Sequence, residues 1–216
     1  EVSGATGYAL YRNVGGQWSQ IAKVEDTYYI DENVENAKPY SYAVAVVIGE
    51  SRGVLNTENA PTLMYIAPAK ISGVINGSNY SKITWGAVEG ALSYEVYRAE
   101  DAEGAEYSLV ASVDAQQLSF VDYNVVAGKT YVYNVKTIGT ENTSAFSEGY
   151  KNTFLTIPQI KSIANAYGGI TFTWGAVPGA EKYHVYRKIY GATYYTYITT
   201  VDADTLSFTD AGATNG

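Results

Sequence analysis

One phrase occurs three times in this chain, and it constrains the fold more than any composition could. Gly4-Ala5-Thr6-Gly7-Tyr8-Ala9-Leu10-Tyr11-Arg12 returns as Gly90-Ala91-Leu92-Ser93-Tyr94-Glu95-Val96-Tyr97-Arg98, and again as Gly179-Ala180-Glu181-Lys182-Tyr183-His184-Val185-Tyr186-Arg187. A period of about 90 residues is too long for a solenoid turn and is enough chain for one small core. The sequence therefore reads as modules at residues 1–67, 68–157 and 158–216.

Composition narrows the class. Apolar residues make up 46% and charged residues 17%, as in a globular chain rather than a disordered one. A net charge of −8 argues against nucleic acid, which needs a basic face, and against electrostatic docking on an anionic membrane. No apolar run is long enough for membrane insertion. The chain has no cysteine, which removes thiol catalysis and thiolate metal sites. With 22 tyrosines, it fits a bacterial extracellular protein stabilised by packing alone. It starts at Glu1 without a methionine, so an upstream segment is left open.

The middle module reads as seven short strands: Lys70–Ile75, Tyr80–Gly86, Ser93–Ala99, Tyr107–Val113, Gln117–Asp122, Thr130–Ile138 and Ser144–Leu155. Each is rich in β-branched or aromatic residues, and turn formers such as Glu89-Gly90 and Ala127-Gly128 separate them. That spacing predicts an all-β sandwich. The first module aligns from Glu1 with Ala87, so it lacks the first two strands. It supplies Gln17–Val24, Thr27–Asp31, Pro39–Ile48 and Val54–Ile66. The third supplies Gln159–Asn165, Gly169–Gly175, Glu181–Lys188, Thr193–Val201 and Thr205–Asp210; its Gly216 aligns with Gly128, so the last two strands are missing. Two interrupted modules are expected of a segment from a longer polypeptide; completion between copies by strand addition is the other route. Pro68 and Pro158 sit in short junctions poor in glycine and serine, which predicts stiff joints and an elongated array.

The middle module resembles a fibronectin type III domain. Trp85 stands where that family places its core tryptophan, Tyr94-x-Val96 matches its third strand, and Gly128-Lys129-Thr130-Tyr131-Val132-Tyr133 matches the sixth with its preceding turn. The resemblance implies an immunoglobulin-like sandwich with Trp85, Trp174 and Tyr94 in the cores. It also implies that the Tyr131 hydroxyl closes its turn onto backbone around residues 123–126. Tyr40 is the matching residue of the first module. The Trp-Gly-Ala-Val-x-Gly-Ala variant resembles modules of secreted Gram-positive proteins, which implies an extracellular or bacterial cell-surface location.

Candidate chemistry is sparse. His184 is the only histidine, and strand alternation turns it outward. No catalytic residues are assigned, and no metal site or cofactor is expected: Asp202-Ala203-Asp204 offers two carboxylates without the rest of a calcium loop. Asp31, Asp122 and Asp210 share one repeat position, which points to turn capping. Asn76-Gly77-Ser78, Asn79-Tyr80-Ser81 and Asn142-Thr143-Ser144 fit a glycosylation pattern and read as turns in a bacterial chain. Tyr190, Tyr194 and Tyr197 crowd one hairpin; Tyr194 and Tyr197 have no tyrosine counterpart in the other modules. They are the candidate ligand-contacting residues, suited to stacking on a sugar ring or anchoring a protein. The expected role is a non-catalytic stalk whose partners are other domains of the same polypeptide. The alternative is an adhesin or carbohydrate-binding array meeting a cell-surface glycan or protein through those tyrosines.

Overall fold

The computed structural model describes residues 1–213; Gly216, paired with Gly128 by the repeat, lies outside the described residues. In the first module, β1 (Gly7–Val14), β2 (Gln17–Val24), β3 (Pro39–Ile48), β4 (Ser51–Arg52) and β5 (Thr62–Met64) form a single five-stranded sheet. β1 lies between β2 and β3, and both β4 and β5 pair with β3. Gly15 and Gly16, at φ 61° and 89°, make the turn between β1 and β2, which side chains would resist.

The middle module adds β6 (Ile71–Asn76), β7 (Ser81–Trp85), β8 (Ser93–Glu100), β9 (Ser108–Asp114), β10 (Ser119–Asp122), β11 (Thr130–Ile138) and β12 (Tyr150–Thr153). They form two antiparallel sheets, β10-β7-β6 and β12-β11-β8-β9. Period-two alternation sends Ile83 and Trp85 inward from the first sheet, and Tyr94, Val96, Tyr131, Tyr133 and Val135 inward from the second. Trp85 is 3% exposed and Tyr133 is fully buried. This all-β architecture is a two-sheet, immunoglobulin-like sandwich, as the resemblance implies.

The third module has β13 (Ile160–Ala166), β14 (Gly169–Trp174), β15 (Lys182–Arg187), β16 (Thr196–Asp202) and β17 (Ser207–Asp210). They make a sheet β13-β14-β17 and a two-stranded sheet β15-β16. Trp174, Tyr183 and Val185 pack between them. One irregularity recurs in all three modules: register shifts at Leu10/Tyr11, Val96/Tyr97 and Val185/Tyr186 put a bulge at the same repeat position.

Three strand expectations need correction. Thr27–Asp31 forms no strand. Its counterparts β10 and β17 each pair with the tryptophan-bearing strand, β7 or β14. The first module has no such strand among the described residues, and an extended segment without a ladder partner stays irregular. Ser144–Leu155 is a strand only at Tyr150–Thr153. Ser144 and Ser147 do run beside β11, but their hydroxyls accept from the Thr137 and Val135 amides, where a regular ladder would use backbone carbonyls. Likewise Val54–Ile66 is reduced to Thr62–Met64.

The first module also buries the side of its sheet that faces away from the core in the middle one. Ala9, Tyr11 and Ala45 form its cluster, covered by Trp18 and Leu55. Their repeat counterparts Glu95, Tyr97 and Lys136 point away from the middle core. Conversely Val44 is 50% exposed where its counterpart Val135 is fully buried. On the face that a second sheet covers in the middle module, the first keeps Tyr8 and Tyr40 buried but leaves Val44 open. The chain accordingly exposes 14210 Å², against roughly 9,700 Å² for one compact globule of its mass.

Candidate functional site

The polar constellation that recurs is a buried ion pair. Arg98 Nη1 lies 2.6 Å from Asp122 Oδ2, and Arg98 also donates to Asn124 O at 2.7 Å. Asp122 is 1% exposed. Its second oxygen accepts from Asn124 N at 2.9 Å, and Tyr133 donates its hydroxyl to Oδ2 at 3.0 Å. The expected turn cap is therefore present, and it is also the hub of an Arg–Asp–Tyr triad linking β8, β10 and β11. The guanidinium stacks on Tyr131, 4.9 Å from the ring centre. In the first module Arg12, Asp31 and Tyr42 repeat the triad, with Asn33 N capped by Asp31. In the third, Arg187 pairs with Asp210, which caps Gly212 N. Burial, then the Asp31 carboxylate, pushes Tyr42 up to about 12. The same causes, with Asp122 as the carboxylate, push Tyr133 well above the usual tyrosine value. These tyrosines are hydrogen-bond donors at neutral pH, held away from ionisation.

Tyrosine hydroxyls clamp the turns. Tyr131 accepts from Val126 N at 3.1 Å, the corner expected of the resemblance, and Tyr40 accepts from Glu35 N at 2.8 Å. A second set escapes the sequence reading. Tyr8, Tyr94 and Tyr183 accept from the amides of Val2, Val88 and Val177, each six residues upstream. A signal for it exists, since all three tyrosines hold the fifth place of the repeated phrase.

The candidate tyrosines occupy different settings. Tyr190 and Tyr194 are 104% and 83% exposed, in the turn between β15 and β16. Tyr197 sits on β16 opposite Tyr186 and meets its ring edge-on at 5.7 Å. Its hydroxyl reaches Thr200 Oγ1 at 2.8 Å, and the His184 ring stands 6.2 Å away. The aromatic group actually assembled is thus His184, Tyr186 and Tyr197. His184 is exposed, and its Nδ1 lies 2.8 Å from Thr200 Oγ1. The counterpart surface of the middle module carries Tyr97 and Tyr107, both packed against Phe146, with Lys136 Nζ 4.3 Å above the Phe146 ring. There the segment between β11 and β12 covers the aromatics; the third module has no such segment among the described residues.

Two open grooves flank the incomplete cores. One of about 440 Å³ lies under Ile160, Phe172, Trp174 and Tyr183 at the free edge of β15. Another of about 490 Å³ is lined by Leu10, Ile30, Tyr40 and Leu63. In the middle module β11 lies beside β8, the counterpart of β15, and the sheet containing β6 and β7 lies opposite β8, which is also the counterpart of β1. Among the described residues no three His, Cys, Asp or Glu gather as metal ligands, and no helix is long and apolar enough to cross a membrane.

No protein-family profile matches the chain. A stretch of 106 residues, 48% of this chain, is 28% identical to part of an amylopullulanase from Thermoanaerobacter thermohydrosulfuricus and covers 7% of that protein's length. Among solved structures, a two-domain fibronectin type III segment of chicken tenascin is 14% identical, with 71% of this chain and 87% of that one covered and a TM-score of 0.37. A Fn3-like protein from Clostridium thermocellum is 25% identical over 43% of this chain and 99% of its own, with a TM-score of 0.35.

Proposed function

We propose that this tandem of fibronectin type III-like modules is a non-catalytic spacer of a larger extracellular bacterial protein. One observation carries the reading. In the charged constellation of the middle module, Asp122 is 1% exposed and accepts from Arg98, Tyr133 and Asn124 N, and the Arg–Asp pair recurs as Arg12–Asp31 and Arg187–Asp210. Its ionisable groups tie strands together and present no free acid, base or nucleophile to a substrate. The stretch similar to an amylopullulanase supports an accessory place beside a carbohydrate-active domain, since it corresponds to a small fraction of that enzyme. The partners in this reading are the other domains of the same polypeptide.

The test is a paired assay on the purified chain. Incubation with pullulan and amylopectin should release no reducing ends, and affinity electrophoresis in either polysaccharide should show no retardation. Release of reducing ends would overturn the reading. Retardation would favour the second reading, a glycan-contacting module. The exposed rings of Tyr190, Tyr194 and Tyr197 support that alternative. Loss of retardation in Tyr194→Ala with Tyr197→Ala would locate the contact there.

A further inference from the structure

At each joint the same two turns meet. The turn before β3 or β11 carries Ala37 or Gly128, at φ 57° and 84°. The turn before β8 or β15 carries Gly90 or Gly179, at φ 81° and 77°. Each turn is held within its own module by one of the tyrosine hydroxyls described above. Two stiffened turns therefore face each other across each junction.

We infer that this turn-on-turn contact is a steric key that sets one angle between successive modules, so that the tandem behaves as a rigid rod of regular twist. At the second joint the fit is backbone against backbone. A Cβ on Gly179 would stand 2.7 Å from Gly128 Cα, and one on Gly128 would stand 2.9 Å from Pro178 Cβ. Backbone cannot swing aside as a side chain can, so either addition must displace a module. At the first joint Ala37 already carries the methyl, and a Cβ on Gly90 would meet it at an ordinary 4.0 Å. That wider contact is pinned by Asn36, whose Nδ2 donates to Glu89 O at 2.9 Å while Oδ1 accepts from the linker amide of Ala67 at 2.8 Å. Gly4 occupies the same turn of the first module at φ 78°, and a Cβ added there would meet nothing within 4 Å. The turn alone therefore demands the conformation, and the joint alone demands the close approach.

The inference rests on the spacer reading for its purpose, but its test reads geometry only. The chain has no cysteine, so Glu103→Cys and Tyr167→Cys provide the only two attachment points for spin labels, one on each side of the second joint. Double electron–electron resonance on the otherwise intact chain should give one narrow distance distribution. Gly179→Ala should shift or broaden it by several ångströms. Gly191→Ala, in the same module at φ 83° with open space around it, imposes equal backbone strain and should leave it unchanged. Across the first joint, with labels at Glu58→Cys and Glu103→Cys, Asn36→Ala should broaden the distribution without any backbone strain. A broad distribution in the labelled parent, or equal responses to Gly179→Ala and Gly191→Ala, overturns the key. Hydrolysis or glycan retention would overturn the spacer reading instead and leave these distances as they are.

Discussion

Asp122 accepts three kinds of donor at once: a guanidinium, a phenol and a backbone amide. Removing it leaves Arg98 facing the interior without its anion, and breaking a buried pair from one side is the costly direction. Asp122→Ala should therefore lower the stability of the middle module by about 3 kcal/mol, read from urea unfolding followed by Trp85 fluorescence. Tyr131→Phe removes a single neutral hydrogen bond at the corner and should cost about 1 kcal/mol in the same measurement. The pH response has a defined sign. Tyr42 and Tyr133 both lie above their unfolded value near 10, Tyr42 at about 12. The folded state thus holds these protons more tightly than the unfolded state. That contribution is complete below pH 10 and is lost as pH rises from 10 through 12. Unfolding midpoints should fall steeply over that window, and Tyr42→Phe with Tyr133→Phe should flatten the fall.

Single elements show how context outranks propensity. Thr27–Asp31 has the same aromatic and acidic pattern as Gln117–Asp122, yet only the latter contains a strand, because β7 is there to pair with β10. Strand preference is largely a preference for a partner and a face to pack on. The serine-bearing run beside β11 has the composition of a strand, but its hydroxyls take the ladder's place, a choice that depends on which groups face them in space. Ala37 is the counter-case, a non-glycine residue at positive φ whose amide donates to Tyr65 O while Tyr65 N donates to Lys38 O next to it. Since alanine resists that region where glycine does not, Ala37→Gly should stabilise the first module by about 1 kcal/mol, measured by thermal unfolding.

At the scale of the molecule, three separate apolar clusters leave far more surface exposed than the core of one globule would. Small-angle scattering on the chain should give a pair-distance distribution with a long tail, and a symmetric bell-shaped curve would contradict separate modules. A shared repeat does not make the modules equal in burial. Val135 is sealed between two sheets while its counterpart Val44 faces outward, and Ala9 is buried where Glu95 is half-buried. The first module therefore stands to gain most from any partner that covers its open face.

Beyond the corner bond of Tyr131, which the family resemblance implied, the sequence alone determined the module period, the all-β class and the strands that carry Trp85, Tyr94 and Tyr131. These follow from local signals: alternation, turn glycines and a phrase repeated in register. It did not reveal the Arg98–Asp122–Tyr133 triad, although each residue type was visible, because three separate strands meet there and their spacing in sequence carries no record of it. Nor did it show that Tyr197 would pack on Tyr186 and His184 apart from the Tyr190 turn, or that Gly128 would press on Gly179. Such pairings are set by the order of strands within sheets and the approach of one module to the next. Only the folded chain decides them, because a contact between distant residues depends on every element that lies between.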